Sequence, residues 1–261
     1  MMEKKLSKDN MKKGIYILPS LFTTASLFFG FFSIVSSYKG DFEKAAVAIL
    51  ISSFFDMIDG KVARVTGTTS KFGVEYDSLA DLVSFGVAPG FLAFTWALQP
   101  FGRYGWLAGF LYIACAALRL ARFNVQIETV EKSKFKGVPS PAAAGMIALT
   151  VLLYYYLGGF GATKHVILLL MIYMLAFLMV SNISYRSFKG LELKNRKPFS
   201  LLVVAVLLMV LIIAEPQVIL FTLAVVYIVS GPFELVYNIG RRKSRSRSKR
   251  ITARYHESDD N

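Results

Sequence analysis

Four aspartates fall within twenty-six residues of this chain, at Asp56, Asp59, Asp77 and Asp81. The first two are three apart and the last two four apart, so on helices each pair shares one face. Carboxylates arrayed in this way hold hard cations through oxygen, which points to Mg²⁺, Mn²⁺ or Ca²⁺ rather than zinc. Two such ions bind substrate phosphates and stabilise an in-line displacement at phosphorus. Gly60 and Gly73 remove side chains where something must approach the backbone closely, and Ala63 is nearly as small. Arg64 supplies a planar cationic fork suited to phosphate.

The elements that must carry these residues are apolar. Of 261 residues, 55% are hydrophobic, and long apolar runs recur from residue 15 to 239. Mean hydropathy is +0.51. About twenty helical residues cross a hydrocarbon core of about 30 Å, so the pattern predicts an all-α integral membrane protein, a polytopic bundle of about eight transmembrane helices. Expected spans are 16–37, 42–64, 75–98, 103–124, 141–159, 163–187, 199–214 and 217–239. An ionised Asp at the centre of such a helix costs roughly 2.5–3.5 kcal/mol. Four of them require a counter-charge, and with only Lys61 and Arg64 nearby, divalent cations supply it better than ion pairs do. At 1.5 Å per residue, Asp56 lies about 12 Å and Asp59 about 7.5 Å below Arg64, while Asp81 lies about 9 Å beyond Glu75. On adjacent antiparallel helices the two pairs reach similar depth.

Charge sets the orientation. Of the 30 Lys and Arg residues, 26 fall on alternate flanks, with only Lys39, Lys44, Arg103 and Lys164 on the others. The positive-inside rule then places both termini and the acidic cluster on the cytoplasmic side of the membrane. The net charge of +13 reflects this topology, and a basic face also attracts anionic lipid of the bilayer. The tail from Arg241 to Arg250 lacks interleaved aromatics, which argues against nucleic acid as a partner and for a disordered, lipid-contacting segment. The long apolar stretch after Lys13 argues against a cleaved leader. Cys115 stands alone, so a disulfide or a thiolate metal site within the chain is excluded. The expected organisation is an N-terminal cytoplasmic arm or juxtamembrane helix (1–14), a catalytic core of six helices (15–190), two further transmembrane helices (191–239) and a basic tail (240–261).

The acidic segment resembles, at every defining position, the signature of the CDP-alcohol phosphotransferase family, D-x2-D-G-x2-A-R-x8-G-x3-D-x3-D. Three further segments resemble the membrane-spanning phosphatidylserine synthases of bacteria and archaea within that family: Ala117 to Asn124, Gly137 to Gly145, and Leu178 to Lys189. With Leu18-Pro19 through Gly30, the resemblance covers roughly residues 15–190. It implies transfer of a phosphatidyl group from CDP-diacylglycerol to L-serine, with two divalent cations (Mg²⁺ or Mn²⁺), release of CMP, a prokaryotic cytoplasmic membrane and a homodimer. Carried over by position, Asp56, Asp59, Asp77 and Asp81 hold the metals, with Asp81 also the general base on the serine hydroxyl. Gly60, Ala63, Arg64 and Gly73 cradle the cytidine and diphosphate, with Thr23 nearby. Relatives usually carry Asn where Ser20 and Ser26 stand here, and serine lacks the amide's paired donor and acceptor.

The acceptor's carboxylate needs a cation. Arg119 and Arg122, three apart at the end of the fourth expected span, are the best placed, with Asn124 and Ser140 to read ammonium or carboxylate. The runner-up reading is the same chemistry with glycerol 3-phosphate or an inositol phosphate, which would ask for more convergent basic residues. A divalent metal transporter is the alternative of another class. It would favour polar residues in more spans than the sequence provides.

Overall fold

A computed structural model describes residues 2–66, 70–129, 137–183, 185 and 198–235. The basic tail 240–261 and the segment 186–197 lie outside the described residues. Among the described residues the chain is helical, without strands, and falls into eight helices. They are α1 (Met2–Tyr38), α2 (Phe42–Thr66), α3 (Lys71–Phe101), α4 (Arg103–Thr129), α5 (Ser140–Tyr156), α6 (Val166–Val180), α7 (Pro198–Ala214) and α8 (Pro216–Leu235). Four stretches are long and apolar enough to cross a membrane: Pro19–Tyr38, Lys71–Phe101, Arg103–Val125 and Pro216–Leu235. α5 and α6 are shorter apolar helices. The charged ends of α2, from Glu43 and Lys44 to Lys61 and Arg64, dilute an otherwise apolar helix.

α1 and α2 form the most extensive helix pair, and α3 runs between that pair and α4, touching α1, α2, α4 and α5. Lipid tails are as apolar as leucine, so these helices gain little from excluding water and depend on close packing. Small residues supply it. Ala45 and Ala46 of α2, with Ala144 and Ala148 of α5, are fully buried around Ile49, Phe85, Leu92 and Trp96. A second core joins α3, α4, α5, α6 and α8 through Leu98, Tyr112, Ile147, Leu175, Met179 and Ile228. α7 instead presents Leu202, Val206, Leu207, Met209, Val210 and Ile213 outward.

Two features of the bundle bear directly on the acidic cluster. Gly30 of α1 lies against Ser84 of α3 so tightly that a Cβ there would sit 2.8 Å from the Ser84 Cα. At that crossing three buried serines meet. The Ser84 and Ser52 hydroxyls both donate to the Ser26 carbonyl, at 3.1 and 2.9 Å, and the Ser26 and Ser52 hydroxyls are 2.9 Å apart. Ser52 is one turn from Asp56 and Ser84 three residues from Asp81, so this clamp joins α1, α2 and α3 just beneath the carboxylates. Ser26 therefore spends its hydroxyl on helix packing.

The second feature is in α3, which is not a uniform helix. A π-helical turn spans Leu82–Val87, immediately after Asp81, and another spans Phe94–Leu98. Pro89 has no N–H to give the Phe85 carbonyl four residues earlier. The fully buried Tyr112 of α4 donates its hydroxyl there instead, at 3.1 Å. The irregularity beside the acids is thus satisfied from a neighbouring helix.

α6 is shorter than the span expected at 163–187. Ser181 turns to an extended backbone (φ −60°, ψ 155°), and the chain leaves the helix there.

Candidate active site

α3 begins where Ser70, extended at φ −116° and ψ 154°, accepts a hydrogen bond from the Gly73 N–H at 3.0 Å. A side chain at Gly73 would place its Cβ 3.1 Å from that Ser70 hydroxyl, so the cap itself gives glycine a local reason. Gly60 has no such reason. A Cβ there would meet only the end of Arg64, 3.8 Å away, and a helix-interior glycine costs about 0.5–1 kcal/mol relative to alanine. The space over Gly60 is left open by the protein. Arg64 folds back along α2, donating from Nε to the Gly60 carbonyl at 2.6 Å, and its exposed guanidinium stands over that opening.

The sequence-predicted acids converge. Asp56 and Asp59 of α2 and Asp77 of α3 each bring a carboxylate oxygen within 4.8 Å of the others. Asp81, four residues after Asp77 on α3, lies close enough to feel the charges of Asp56, Asp77 and Asp59. Asp59 is the most enclosed, 4% exposed, and one of its oxygens, Oδ2, is buried without a hydrogen-bond partner. A buried, unpartnered carboxylate oxygen is costly unless something cationic meets it. Three all-oxygen donors at this spacing can hold a metal ion, and their hardness suits a divalent cation of the magnesium type. Thr23 of α1 is buried beside Asp59 and donates its hydroxyl to the Pro19 carbonyl at 3.1 Å. Its contact is with the acid cluster. Ala63 is half-buried on α2, one residue before Arg64.

The four residues expected to read the acceptor lie on α4 and at the start of α5. Arg119 interacts with the charge of Asp81 and donates from Nη1 to the buried Ser140 hydroxyl at 2.9 Å. Its Nε–H is buried and has no hydrogen-bond partner. Arg122 donates from Nη2 to Asn182 Oδ1 at 2.7 Å. Asn124 turns toward α3, donating from Nδ2 to the Ser78 hydroxyl at 2.9 Å. Tyr227 of α8 also feels the Arg119 charge and packs on Tyr185, ring centroids 5.7 Å apart. Lys61 points out and takes no part among these contacts.

Ser78, Asn182 and Tyr227 are thus additional polar members of the site. Ser78 was detectable only as the polar one of the three residues between Asp77 and Asp81. Asn182 lies in a segment, Leu178 to Lys189, already singled out by resemblance. Tyr227 had no signal in its own surroundings.

Known proteins place this arrangement in context. The family model for CDP-alcohol phosphatidyltransferases matches residues 16–180. A CDP-diacylglycerol–serine O-phosphatidyltransferase of Helicobacter pylori (strain ATCC 700392 / 26695) is 42% identical over 193 residues, which are 73% of this chain and 80% of that protein. An archaetidylserine synthase of Methanothermobacter thermautotrophicus is 33% identical over 188 residues, 71% of this chain and 76% of that protein. A CDP-diacylglycerol–serine O-phosphatidyltransferase of Bacillus subtilis is 34% identical over 178 residues, 68% of this chain and 94% of its own length.

Proposed function

The chain belongs to the CDP-alcohol phosphatidyltransferase family, and from that premise we propose that it transfers the phosphatidyl group of CDP-diacylglycerol to the hydroxyl of L-serine, giving phosphatidylserine and CMP. The observation that carries the reading is the gathering of the Asp56, Asp59 and Asp77 carboxylates from two helices, with an unpartnered Asp59 oxygen among them. Arg119 lies near enough to feel the charge of Asp81. The named activity of the Helicobacter and Bacillus relatives agrees with it.

The chemistry rests on these residues. Serine's carboxylate pairs with Arg119, which has an unused buried N–H, and Arg122 adds charge beside it. Its hydroxyl then faces Asp81, which takes the proton as the oxygen attacks the β-phosphorus. The new O–P bond forms as the bond to the bridging oxygen breaks, and CMP leaves with that electron pair. Two divalent cations, Mg²⁺ or Mn²⁺, held by Asp56, Asp59, Asp77 and Asp81, would offset charge on the diphosphate and on departing CMP. Arg64, over the open backbone at Gly60 with Ala63 beside it, binds the diphosphate and cytidine. By the family resemblance, Gly73 and Thr23 also contribute to the donor site.

We read the eight helices as eight crossings, with both termini and the acidic cluster on the cytoplasmic side of a prokaryotic membrane, because the Lys and Arg distribution supports that orientation. A homodimer is carried over from the family resemblance.

The test is an acceptor assay. Purified protein with CDP-diacylglycerol, Mg²⁺ or Mn²⁺, and labelled L-serine, glycerol 3-phosphate or inositol phosphate should put label into lipid, and release CMP, with serine. Incorporation of glycerol 3-phosphate and not serine would overturn the assignment.

A further inference from the structure

The two arginines expected to hold the acceptor are each tied to a different loop. Arg119 bonds Ser140, at the start of α5, and Arg122 bonds Asn182, just past the end of α6. Those two loops are in turn joined to each other by backbone. The Gly137 N–H donates to the Ile183 carbonyl at 2.8 Å, and the Val138 N–H donates to the Leu178 carbonyl at 3.1 Å. Gly137 is thus three residues from one arginine's partner, and bonded to the residue next to the other's.

Only glycine fits at this junction. Its φ is +83°, in the region that side chains disfavour. A Cβ there would fall 2.3 Å from the Met179 carbonyl oxygen and 3.1 Å from that of Leu178. Both are backbone atoms at the end of α6, so a neighbouring side chain cannot swing aside to make room. Val138 and Ser140 are buried beside it, at 0% and 1% exposed, which leaves the stretch between junction and Arg119 no slack.

We propose that Gly137 is a positioning residue that couples these two loops, and so fixes the placement of the Arg119 and Arg122 guanidiniums relative to each other that selects a carboxylate-bearing acceptor. The proposal rests on the serine reading above. Gly137 touches no substrate. It acts through Ser140 and Asn182, and it stands apart from the acidic cluster that handles the donor.

Gly137→Ala should therefore act on one substrate only. In steady-state assays on the full chain, KM for L-serine rises on the order of ten-fold, about what one charge-assisted hydrogen bond to the carboxylate contributes. KM for CDP-diacylglycerol should stay unchanged. Preference for L-serine over ethanolamine, the analogue without the carboxylate, should fall by the same factor. Asn182→Ala cuts the Arg122 tie without disturbing the backbone, and should give the same selective rise; it carries the test if Gly137→Ala does not fold. Serine KM unchanged in both folded variants, or CDP-diacylglycerol KM rising in parallel with it, would overturn the proposal. Wild-type protein that takes glycerol 3-phosphate in place of serine overturns the serine reading and this proposal together, whereas serine use with insensitive variants overturns the proposal alone.

Discussion

Asn124 on α4 donates to the hydroxyl of Ser78 on α3 at 2.9 Å, and Ser78 sits one residue after Asp77 and three before Asp81. The amide expected to read the acceptor is engaged with the helix that carries two of the four acids. Asn124→Ala should therefore lower kcat by roughly ten-fold, through displaced carboxylates, and raise the Mg²⁺ or Mn²⁺ concentration needed for half-maximal rate, with little change in serine KM. A selective rise in serine KM would instead restore Asn124 to direct acceptor contact.

Asp81 stands among the charges of the other acids and within reach of the Arg119 charge. Asp81→Asn keeps the shape and removes the proton acceptor. CMP release with serine should fall by about 10²–10⁴-fold, the range for losing general acid–base catalysis. Chelation of divalent cations should abolish transfer in wild-type protein, and added Mg²⁺ or Mn²⁺ should restore it. Near-normal turnover in the variant would remove Asp81 from the base role.

The serine clamp can be probed through stability. Ser26 stands where the family resemblance leads one to expect Asn, yet here it is 2% exposed and bonded to Ser52 and Ser84. Ser26→Asn should overfill this crossing and cost about 1–3 kcal/mol, read as a lower Tm in detergent, with no gain in donor affinity. Gly30→Ala, which meets Ser84 backbone, should destabilise at least as much. A more stable, tighter-binding Ser26→Asn protein would show that the amide still has room to serve the donor.

Tyr112 offers a cleaner probe. Its hydroxyl caps the Phe85 carbonyl left unmet by Pro89. Tyr112→Phe deletes one atom and leaves a buried acceptor without its partner, so unfolding stability should fall by about 1–3 kcal/mol while the ring's packing is kept. Thermal denaturation in detergent measures this. An unchanged Tm would mean that the π-helical turn satisfies that carbonyl unaided.

The features legible in the sequence were those with a short period. Three- and four-residue spacings pointed to the acids that meet, Asp56, Asp59 and Asp77 from two helices, and apolar runs locate each helix to within a few residues at most ends. Pairings between distant segments had no local signature: Ser26 with Ser84, Tyr112 with Phe85, Arg122 with Asn182. A serine that clamps and a serine that binds ligand look alike in sequence, and so do an asparagine facing a substrate and one facing a neighbouring helix. The early end of α6 was hidden in part for the same reason, because Gly137 and Val138 bond across the fold to Ile183 and Leu178, adding to the local bond of the Ser181 hydroxyl to Leu178. Gly73 differs again, since a position expected from the motif to face ligand has a sufficient capping role of its own.

The wide turn after Asp81 has a counterpart in the gene: it amounts to one codon in surplus over a regular helix. Each residue added to or removed from a helix rotates the downstream residues by about 100°. An in-frame insertion or deletion between residues 82 and 87 would therefore keep the reactive end in register with its metal-binding partners and re-aim the remaining length of α3 against the rest of the bundle. Length variation at this one place is a route by which descendants of such a chain can re-aim the lower half of the molecule, at the expense of the Ser84 and Phe85 contacts that now fix it.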